Sequence, residues 1–201
     1  LTNAINACKQ GTELHPFSLE LKFLLSTLLL ESGSFQLALD TIEQMLLIQP
    51  TDIEYLAVKA ELLLFLDRYE ESHEYYFRIL PLSDEKAHIY YQLSDAAQGM
   101  NNHELAVSYL LKTLRLNPSH EEAMFELYHS YDELNQLDEC ILQLKKFIDD
   151  NPFSQHMWYN LAILHDRQEN FKEAINCYEF AVAIDDKYSS AFYNMGSAYM
   201  V

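Results

Sequence analysis

The clearest structural signal in this chain runs from Ser154 to Lys187, SQHMWYNLAILHDRQENFKEAINCYEFAVAIDDK. Its apolar residues recur at steps of three and four, which is the pattern of two amphipathic α-helices. The pattern breaks at 168–170, so we expect a turn there. Two helices of this length cannot bury both apolar faces alone and need neighbours of the same kind. The periodic positions are Trp158, Leu161, Ala162, His165, Phe171, Ala174, Ile175, Tyr178, Ala181 and Val182.

The same pattern recurs upstream with a period of 34 residues. Small residues return at this interval, as expected where paired helices cross and a larger side chain would force them apart. Tyr128 interrupts the first column, so either its helix pair separates or its ring tilts toward a neighbour. The marks of the period are Pro16, Pro50, Pro118 and Pro152, with Asp84 and Asp186 in the vacant places, and the small columns Ser26, Ala60, Ser94, Ala162, Gly196 and Ala38, Ser72, Ala106, Cys140, Ala174.

These columns make the chain similar to the tetratricopeptide repeat family, whose pattern has Trp, Leu-Gly, Tyr, Ala, Phe and Pro columns. The best copy supplies Trp158, Leu161-Ala162, Phe171, Ala174, Tyr178 and Ala181. The resemblance covers nearly all of the 201 residues. It implies an all-α fold, a right-handed α-solenoid of tetratricopeptide-like helix-turn-helix repeats.

The period divides the chain into repeats of one solenoid that spans residues 1–201. Gly33 and Gly99 mark expected turns, and Pro81 predicts that the second helix of repeat two stops near Leu80, because proline breaks a helix interior. The half repeats at both ends lead us to expect that the natural sequence continues beyond them. The expected full repeats are 19–52, 53–86, 87–120, 121–154 and 155–188, with half repeats at 1–18 and 189–201.

Charge narrows the range of partners. The chain has 13 Lys and Arg against 31 Asp and Glu, a net charge of -18, which argues against nucleic acid and anionic membrane surfaces. It favours a basic protein partner, although acidity also keeps proteins soluble. The sequence has no apolar run long enough to span a membrane and no signal peptide at its start, which argues against membrane insertion and favours a cytoplasmic location.

No pattern in the sequence predicts catalysis, a cofactor or a metal. Cys8, Cys140 and Cys177 form no CxxC pair or disulfide framework and fit small buried positions. Three histidines that could face a groove, His88, His129 and His156, fall on different helices without metal-ligand spacing. There is no Gly-rich phosphate loop and no GxSxG elbow. We therefore expect a protein that is not an enzyme.

The family resemblance implies that the first helices of successive repeats line a concave face, which commonly holds an extended peptide or a helix. In five of six copies the fifth place is aromatic, and in four of these five a polar residue follows it. The aromatic column also fits packing between repeats, but the polar neighbours favour binding by ring surface and hydrogen bonds. The predicted peptide-binding residues are Tyr91, Gln92, Asp95, Phe125, Glu126, His129, Asp132, Tyr159, Asn160, Asp166, Tyr193 and Asn194.

The family's carboxylate clamp, which uses Lys, Arg and Asn to hold a terminal carboxylate, does not fit this chain. Only Arg167 is basic along the expected lining, and the clamp places carry Glu54, Ala57, Glu61, His88, Gln92 and Glu122. The sequence therefore predicts a non-catalytic scaffold for a neutral or basic peptide segment. Two alternatives stay open: self-association through an exposed C-terminal helix, and a regulatory arm of a larger enzyme or sensor.

Overall fold

The computed structural model describes residues 1–200, which form twelve α-helices and no strand. We call the helix that begins each expected repeat its first helix and the helix that follows its second helix. The first helices are α2 (Leu19–Glu31), α4 (Ile53–Phe65), α6 (Lys86–Gly99), α8 (Glu121–Glu133), α10 (Gln155–Arg167) and α12 (Ser189–Ala198). The second helices are α1 (Thr2–Leu14), α3 (Phe35–Leu46), α5 (Tyr69–Ile79), α7 (His103–Leu116), α9 (Leu137–Asp150) and α11 (Phe171–Ile184).

The helices fall into two compact units. The first unit, Leu1–Asn102, contains α1 to α6, and the second begins at His103 and contains α7 to α12. Within each unit a helix packs mainly on the helices next to it in the chain, which is how a solenoid replaces a single core. The fold is an all-α solenoid of helical repeats, as predicted, and the exact division into repeats stays a prediction. None of the helices in residues 1–200 has the length and hydropathy needed to cross a bilayer.

Polar side chains set where four of the first helices begin. Each accepts a hydrogen bond from a backbone N–H in the first turn, a group that has no partner inside the helix. The pairs are Ser18 with Leu21, Asp52 with Tyr55, His120 Nδ1 with Ala123, and Ser154 with Met157.

A left-handed residue follows each of five first helices, again every 34 residues. In the first of these turns, the Ser34 N–H donates to the Leu29 carbonyl at 2.8 Å, as in a Schellman motif. The same bond recurs in the other four turns. One turn geometry therefore serves glycine, aspartate, asparagine and glutamate alike. The residues and their φ angles are Gly33 (73°), Asp67 (57°), Asn101 (56°), Asn135 (55°) and Glu169 (60°).

Gly99 has a different role from the one the sequence predicts. It is the last residue of α6 and not part of the turn, whose left-handed residue is Asn101. A Cβ atom at Gly99 would overlap the ring of Tyr69, at the start of α5. Glycine at this position therefore lets α5 and α6 approach closely.

Most members of the small-residue columns are fully buried, as expected of positions where paired helices cross. Ser72 on α5 donates a hydrogen bond to the Ala60 carbonyl on α4 at 2.8 Å, so this small residue also joins its two helices. The exceptions are the half-buried Tyr128 and the exposed Gly196. The fully buried members are Ser26, Ala60, Ser94, Ala162, Ala38, Ser72, Ala106, Cys140 and Ala174.

Two further sequence predictions are confirmed. Helix α5 ends at Ile79 with Leu80 as its C-cap, immediately before Pro81. Cys8, Cys140 and Cys177 are buried and free of disulfides. Burial raises the pKa of the Cys140 thiol to about 12, which makes it an unreactive core residue.

Candidate functional site

The first helices α8 and α10 of the second unit enclose a cavity of about 200 Å³, here called the α8–α10 cavity. Three of the predicted peptide-binding residues, Phe125, Tyr159 and Asn160, line it. The other lining residues are Glu121, Met124, Tyr128, Ile163, Leu164 and Arg167.

The cavity lining contains one acidic and one basic residue, Glu121 and Arg167. Glu121 is the first residue of α8, and its carboxylate contributes, after burial, to the raised pKa of Tyr159. Arg167 is the last residue of α10 and lies over the ring of Tyr128, its guanidinium carbon 4.1 Å from the ring centroid. Tyr128 comes two helical turns after Glu121, about 10 Å along α8. A ligand in the cavity would therefore meet an acceptor toward one end and a donor toward the other.

The contact with Arg167 explains how α8 accommodates a tyrosine in the small-residue column. Tyr128 is half-buried, whereas Cys140 of the same repeat is fully buried. Both sequence-based alternatives have support: the Tyr128 ring lies against Arg167 of the neighbouring first helix, and α8 and α9 pack less closely than the helix pairs α2–α3, α4–α5 and α10–α11. A guanidinium over an aromatic face is attracted by the ring's quadrupole, so the pair also ties α10 to α8.

Tyr159 is held by several neighbours. Its hydroxyl accepts a hydrogen bond from Asn194 Nδ2 at 3.0 Å, and its ring lies 5.0 Å from that of Tyr188 and 5.9 Å from that of Tyr178. The Tyr188 hydroxyl lies 3.4 Å from His156 Nδ1, and burial raises the pKa of Tyr188 to about 12. These contacts join α10 to α11 and α12 and make Tyr159 a fixed wall of the cavity.

Two groups beside this wall remain open to a ligand. Asn160 is half-buried, and in residues 1–200 its carboxamide has no hydrogen-bond partner. It therefore keeps two donors and one acceptor for a ligand. Phe125 has 56% of its surface exposed at the edge of the cavity. Open apolar surface thus lies next to open hydrogen-bonding groups.

The other predicted residues of the second unit lie outside the cavity. Glu126 is half-buried on α8, and Asp132 is exposed there. His129 Nε2 lies 3.9 Å from Glu133 Oε1, and the His129 ring is 6.1 Å from that of His103 on α7, so His129 faces α7. On α10, burial raises the pKa of Asp166. On α12, Tyr193 is 77% exposed, and the Asn194 amide is already bonded to Tyr159.

Three predicted residues, Tyr91, Gln92 and Asp95, lie half-buried on α6 of the first unit. Their peptide-binding role stays a prediction.

Comparison with known families agrees with this helical architecture. Models of the tetratricopeptide repeat match residues 1–62, 87–120 and 155–188, which together make up more than half of the chain. The chain belongs to the tetratricopeptide repeat family. Members of this family are interaction scaffolds and generally non-catalytic, so this tetratricopeptide repeat protein is a protein-interaction scaffold.

Solved structures of other tetratricopeptide repeat proteins share the fold. YrrB, described as a tetratricopeptide repeat protein with an unusual peptide-binding site, is 19% identical, with a TM-score of 0.57 over 94% of this chain and 97% of its own. MamA from Desulfovibrio magneticus is 20% identical, with a TM-score of 0.58 over 84% and 96%. A protein from Parabacteroides merdae is 12% identical, with a TM-score of 0.60 over 98% and 77%. No curated protein sequence matches the chain.

The sequence does not predict most of the residues that line the cavity in this tetratricopeptide repeat protein. Three lining residues, Met124, Ile163 and Leu164, are apolar, as core residues are. The sequence pattern therefore does not distinguish a residue of a pocket wall from a residue of the core. Tyr128 gave the one usable signal, since it is the bulky residue in a column of small ones. In residues 1–200, no three His, Cys, Asp or Glu side chains are grouped to hold a metal ion.

Proposed function

We propose that the second unit binds a neutral or basic peptide segment, extended or helical, along the first helices α8 and α10. The observation that carries this proposal is the α8–α10 cavity, whose lining includes both the exposed Phe125 and the carboxamide of Asn160, which has no hydrogen-bond partner among residues 1–200. An extended segment needs apolar surface for its side chains and paired donors and acceptors for its backbone. Phe125 and Tyr159 supply the first, and Asn160 supplies the second.

The charge around the cavity favours a basic segment. Glu121 lines the cavity, while Glu126 and Asp132 lie elsewhere on α8. Arg167 is the one cation in the lining, and the whole chain carries a net charge of -18. Exposed charges of this kind accelerate association and select partners more than they add affinity, and salt screens them. Binding of a basic segment should therefore weaken as ionic strength rises.

The similarity to YrrB supports this class of ligand. YrrB shares the fold and is described as having a peptide-binding site. At 19% identity the likeness does not extend to particular residues, so the residues proposed here rest on the geometry of this chain.

A fluorescence anisotropy titration of the full chain tests the proposal. The probe is a short, dye-labelled peptide with lysines flanking a central leucine, here called the lysine–leucine peptide, and its counterpart has glutamates in place of lysines. We expect the lysine–leucine peptide to bind more tightly than the counterpart, and its affinity to fall with added salt. Affinity that is equal for the two peptides, or indifferent to salt, would remove the preference for a basic segment.

Two substitutions locate the binding surface in the same titration. Phe125→Ala and Asn160→Ala should each weaken binding by about 5-fold to 10-fold, since each removes a contact worth about 1 kcal/mol. The matched control is Phe153→Ala, because Phe153 is 80% exposed and does not line the cavity. Failure of every peptide to bind, or an equal effect of Phe153→Ala, would overturn the proposal.

The rival hypothesis of self-association also has an observation in its favour. Phe192 on α12 is 46% exposed, and Tyr199 at the C-cap of that helix is 62% exposed. Light scattering over a range of protein concentrations distinguishes the two. A mass that stays that of a monomer would exclude self-association, whereas a rising mass that Phe192→Ala suppresses would support it.

A further inference from the structure

We infer that the α8–α10 cavity is an anchor pocket for one large apolar side chain of the bound segment, such as leucine, methionine or phenylalanine. This inference rests on the proposed function and adds a sequence requirement to it. It comes from the size of the cavity, the chemistry of its floor, and the position of its charged groups.

Size restricts what the cavity can hold. Pockets for drug-sized ligands have volumes of roughly 300–1,000 Å³, and this cavity has about 200 Å³. It therefore has room for part of a ligand rather than for a whole small molecule. A single large side chain from a segment lying across α8 and α10 matches that volume.

The floor of the cavity is apolar. Met124 and Leu164 are buried, with 6% and 3% of their surfaces exposed, and half-buried Ile163 lies beside Leu164 on α10. A charged side chain placed on this floor would lose its hydration without gaining a partner. An apolar side chain would instead leave water for an apolar surface. Met124 can also adjust its shape, because methionine is unbranched and flexible.

The two charged lining residues can serve the backbone of the same segment. In residues 1–200 Arg167 forms no ion pair, and its guanidinium stacks on Tyr128, so its N–H groups remain available as donors. Glu121 provides an acceptor two helical turns away from Tyr128 along α8. A carbonyl near Arg167 and an N–H or lysine near Glu121 would flank the inserted side chain. The pocket thus combines an apolar centre with polar edges, the usual arrangement of a binding hot spot.

Tyr128 supplies a second wall of this pocket, which comes from α8, whereas the wall formed by Tyr159 comes from α10. The same place in four other copies is occupied by Ser26, Ala60, Ser94 and Ala162, all of them fully buried. None of those residues has a ring that could reach the neighbouring first helix. The pocket is therefore a feature of this copy, and we expect it to set the position of the segment along the groove.

Isothermal titration calorimetry with a series of peptides tests the anchor. The central residue of the lysine–leucine peptide is varied through alanine, leucine, phenylalanine and glutamate, and the full chain is titrated with each. The leucine or phenylalanine peptide should bind at least about tenfold more tightly than the alanine peptide, as burial of a side chain of that size implies. The glutamate peptide should bind no better than the alanine peptide.

A cavity-filling variant makes the test specific. Ile163→Phe should reduce the preference for leucine over alanine to within about twofold, with the salt-sensitive binding retained. The matched control is Ile175→Phe on α11, a half-buried isoleucine outside the cavity, which should keep the preference. Should Ile163→Phe fail to fold, Tyr128→Ser replaces it and should lower the affinity for the leucine peptide.

The outcomes separate the anchor from the proposed function. If the peptides bind with the same affinity whatever their central residue, the anchor pocket is overturned, whereas the proposed function stands. A leucine preference that survives both Ile163→Phe and Tyr128→Ser would overturn the anchor pocket as well. If no peptide of the series binds, the proposed function fails, and the anchor fails with it.

Discussion

Arg167 lies over the ring of Tyr128, with 4.1 Å between the guanidinium carbon and the ring centroid. The contact joins the last residue of α10 to the middle of α8, across the wall of the α8–α10 cavity. Tyr128 occupies a place where this family's helix pairs use a small residue, and its ring contacts Arg167 of a neighbouring first helix. A departure from the repeat pattern has thus become part of the candidate binding surface.

Loss of the Arg167–Tyr128 contact should weaken the second unit. Arg167→Ala is expected to lower the free energy of unfolding by about 0.5–1 kcal/mol, the usual strength of an exposed cation–π pair. Urea denaturation followed by circular dichroism measures this change. The control is Lys172→Ala, an exposed cation on α11 that should have little effect. An equal loss of unfolding free energy in the two variants would show that the contact with Tyr128 adds nothing to stability beyond the positive charge of Arg167.

Replacing Glu169 with glycine should increase the free energy of unfolding. Glu169 has a φ of 60°, in the left-handed region, which costs a residue with a Cβ roughly 1–2 kcal/mol. Glu169→Gly removes that cost but adds chain entropy to the unfolded state, so we expect a net gain of about 0.5–1 kcal/mol. A lower denaturation midpoint for this variant would contradict the prediction.

The reverse substitution in the same column is Gly33→Ala, at a φ of 73°. A Cβ there meets no atom within 4 Å, so its effect should come from the backbone alone. We expect a loss of about 1 kcal/mol in thermal or urea unfolding. An unchanged free energy of unfolding would mean that the left-handed turn accommodates a side chain without strain.

Gly99 and Tyr69 should behave as a coupled pair. Gly99→Ala should cost about 1–3 kcal/mol, because its Cβ would overlap the Tyr69 ring. In a Tyr69→Ala background the same change should cost nothing, or should stabilise, since alanine favours a helix more than glycine does. A double-mutant cycle in urea measures the coupling. Equal costs in both backgrounds would rule out the close approach of α5 and α6 as the reason for glycine.

His165 should make the fold less stable in mild acid. It is buried on α10, where its Nδ1 has no hydrogen-bond partner among residues 1–200, and burial, together with the nearby Lys145 charge, lowers its pKa below the ordinary value of 6.5. The unfolded chain therefore takes up this proton more readily than the folded chain does. The stabilising effect of the neutral ring is complete above about pH 6.5 and is lost as the pH falls below that value.

The measurement is the urea midpoint at about pH 7.5 and about pH 5.5. His165→Gln should make the midpoint less dependent on pH than it is in the parent chain. His15→Gln is the control, because His15 is exposed. A pH dependence that is unchanged by His165→Gln would assign the effect to other groups.

Sequence alone could predict the repeat architecture because burial restricts residue type at regular places. Ser72 and Cys140, for instance, share a column with alanines because only small side chains fit between paired helices. The left-handed column is not visible in the sequence, although it has the same period. Glycine, aspartate, asparagine and glutamate all occupy it, so geometry is conserved there while chemistry varies.

The candidate site was predicted in part, for a related reason. Phe125, Tyr159 and Asn160 stand out because rings and carboxamides recur at the fifth and sixth places. Ile163 and Leu164 do not stand out, because an apolar residue on a first helix becomes core or pocket wall according to how closely the next first helix approaches. The contact that joins α8 to α10 beside the α8–α10 cavity is made by Tyr128 and Arg167, which lie 39 positions apart in the chain.

An NMR titration of the isotopically labelled full chain with the lysine–leucine peptide shows whether α8 and α10 hold a peptide. If they do, the largest chemical-shift changes will fall on α8 and α10 and will include the side-chain amide of Asn160. Changes confined to the second helices α9 and α11, with the Asn160 amide unmoved, would contradict the proposal.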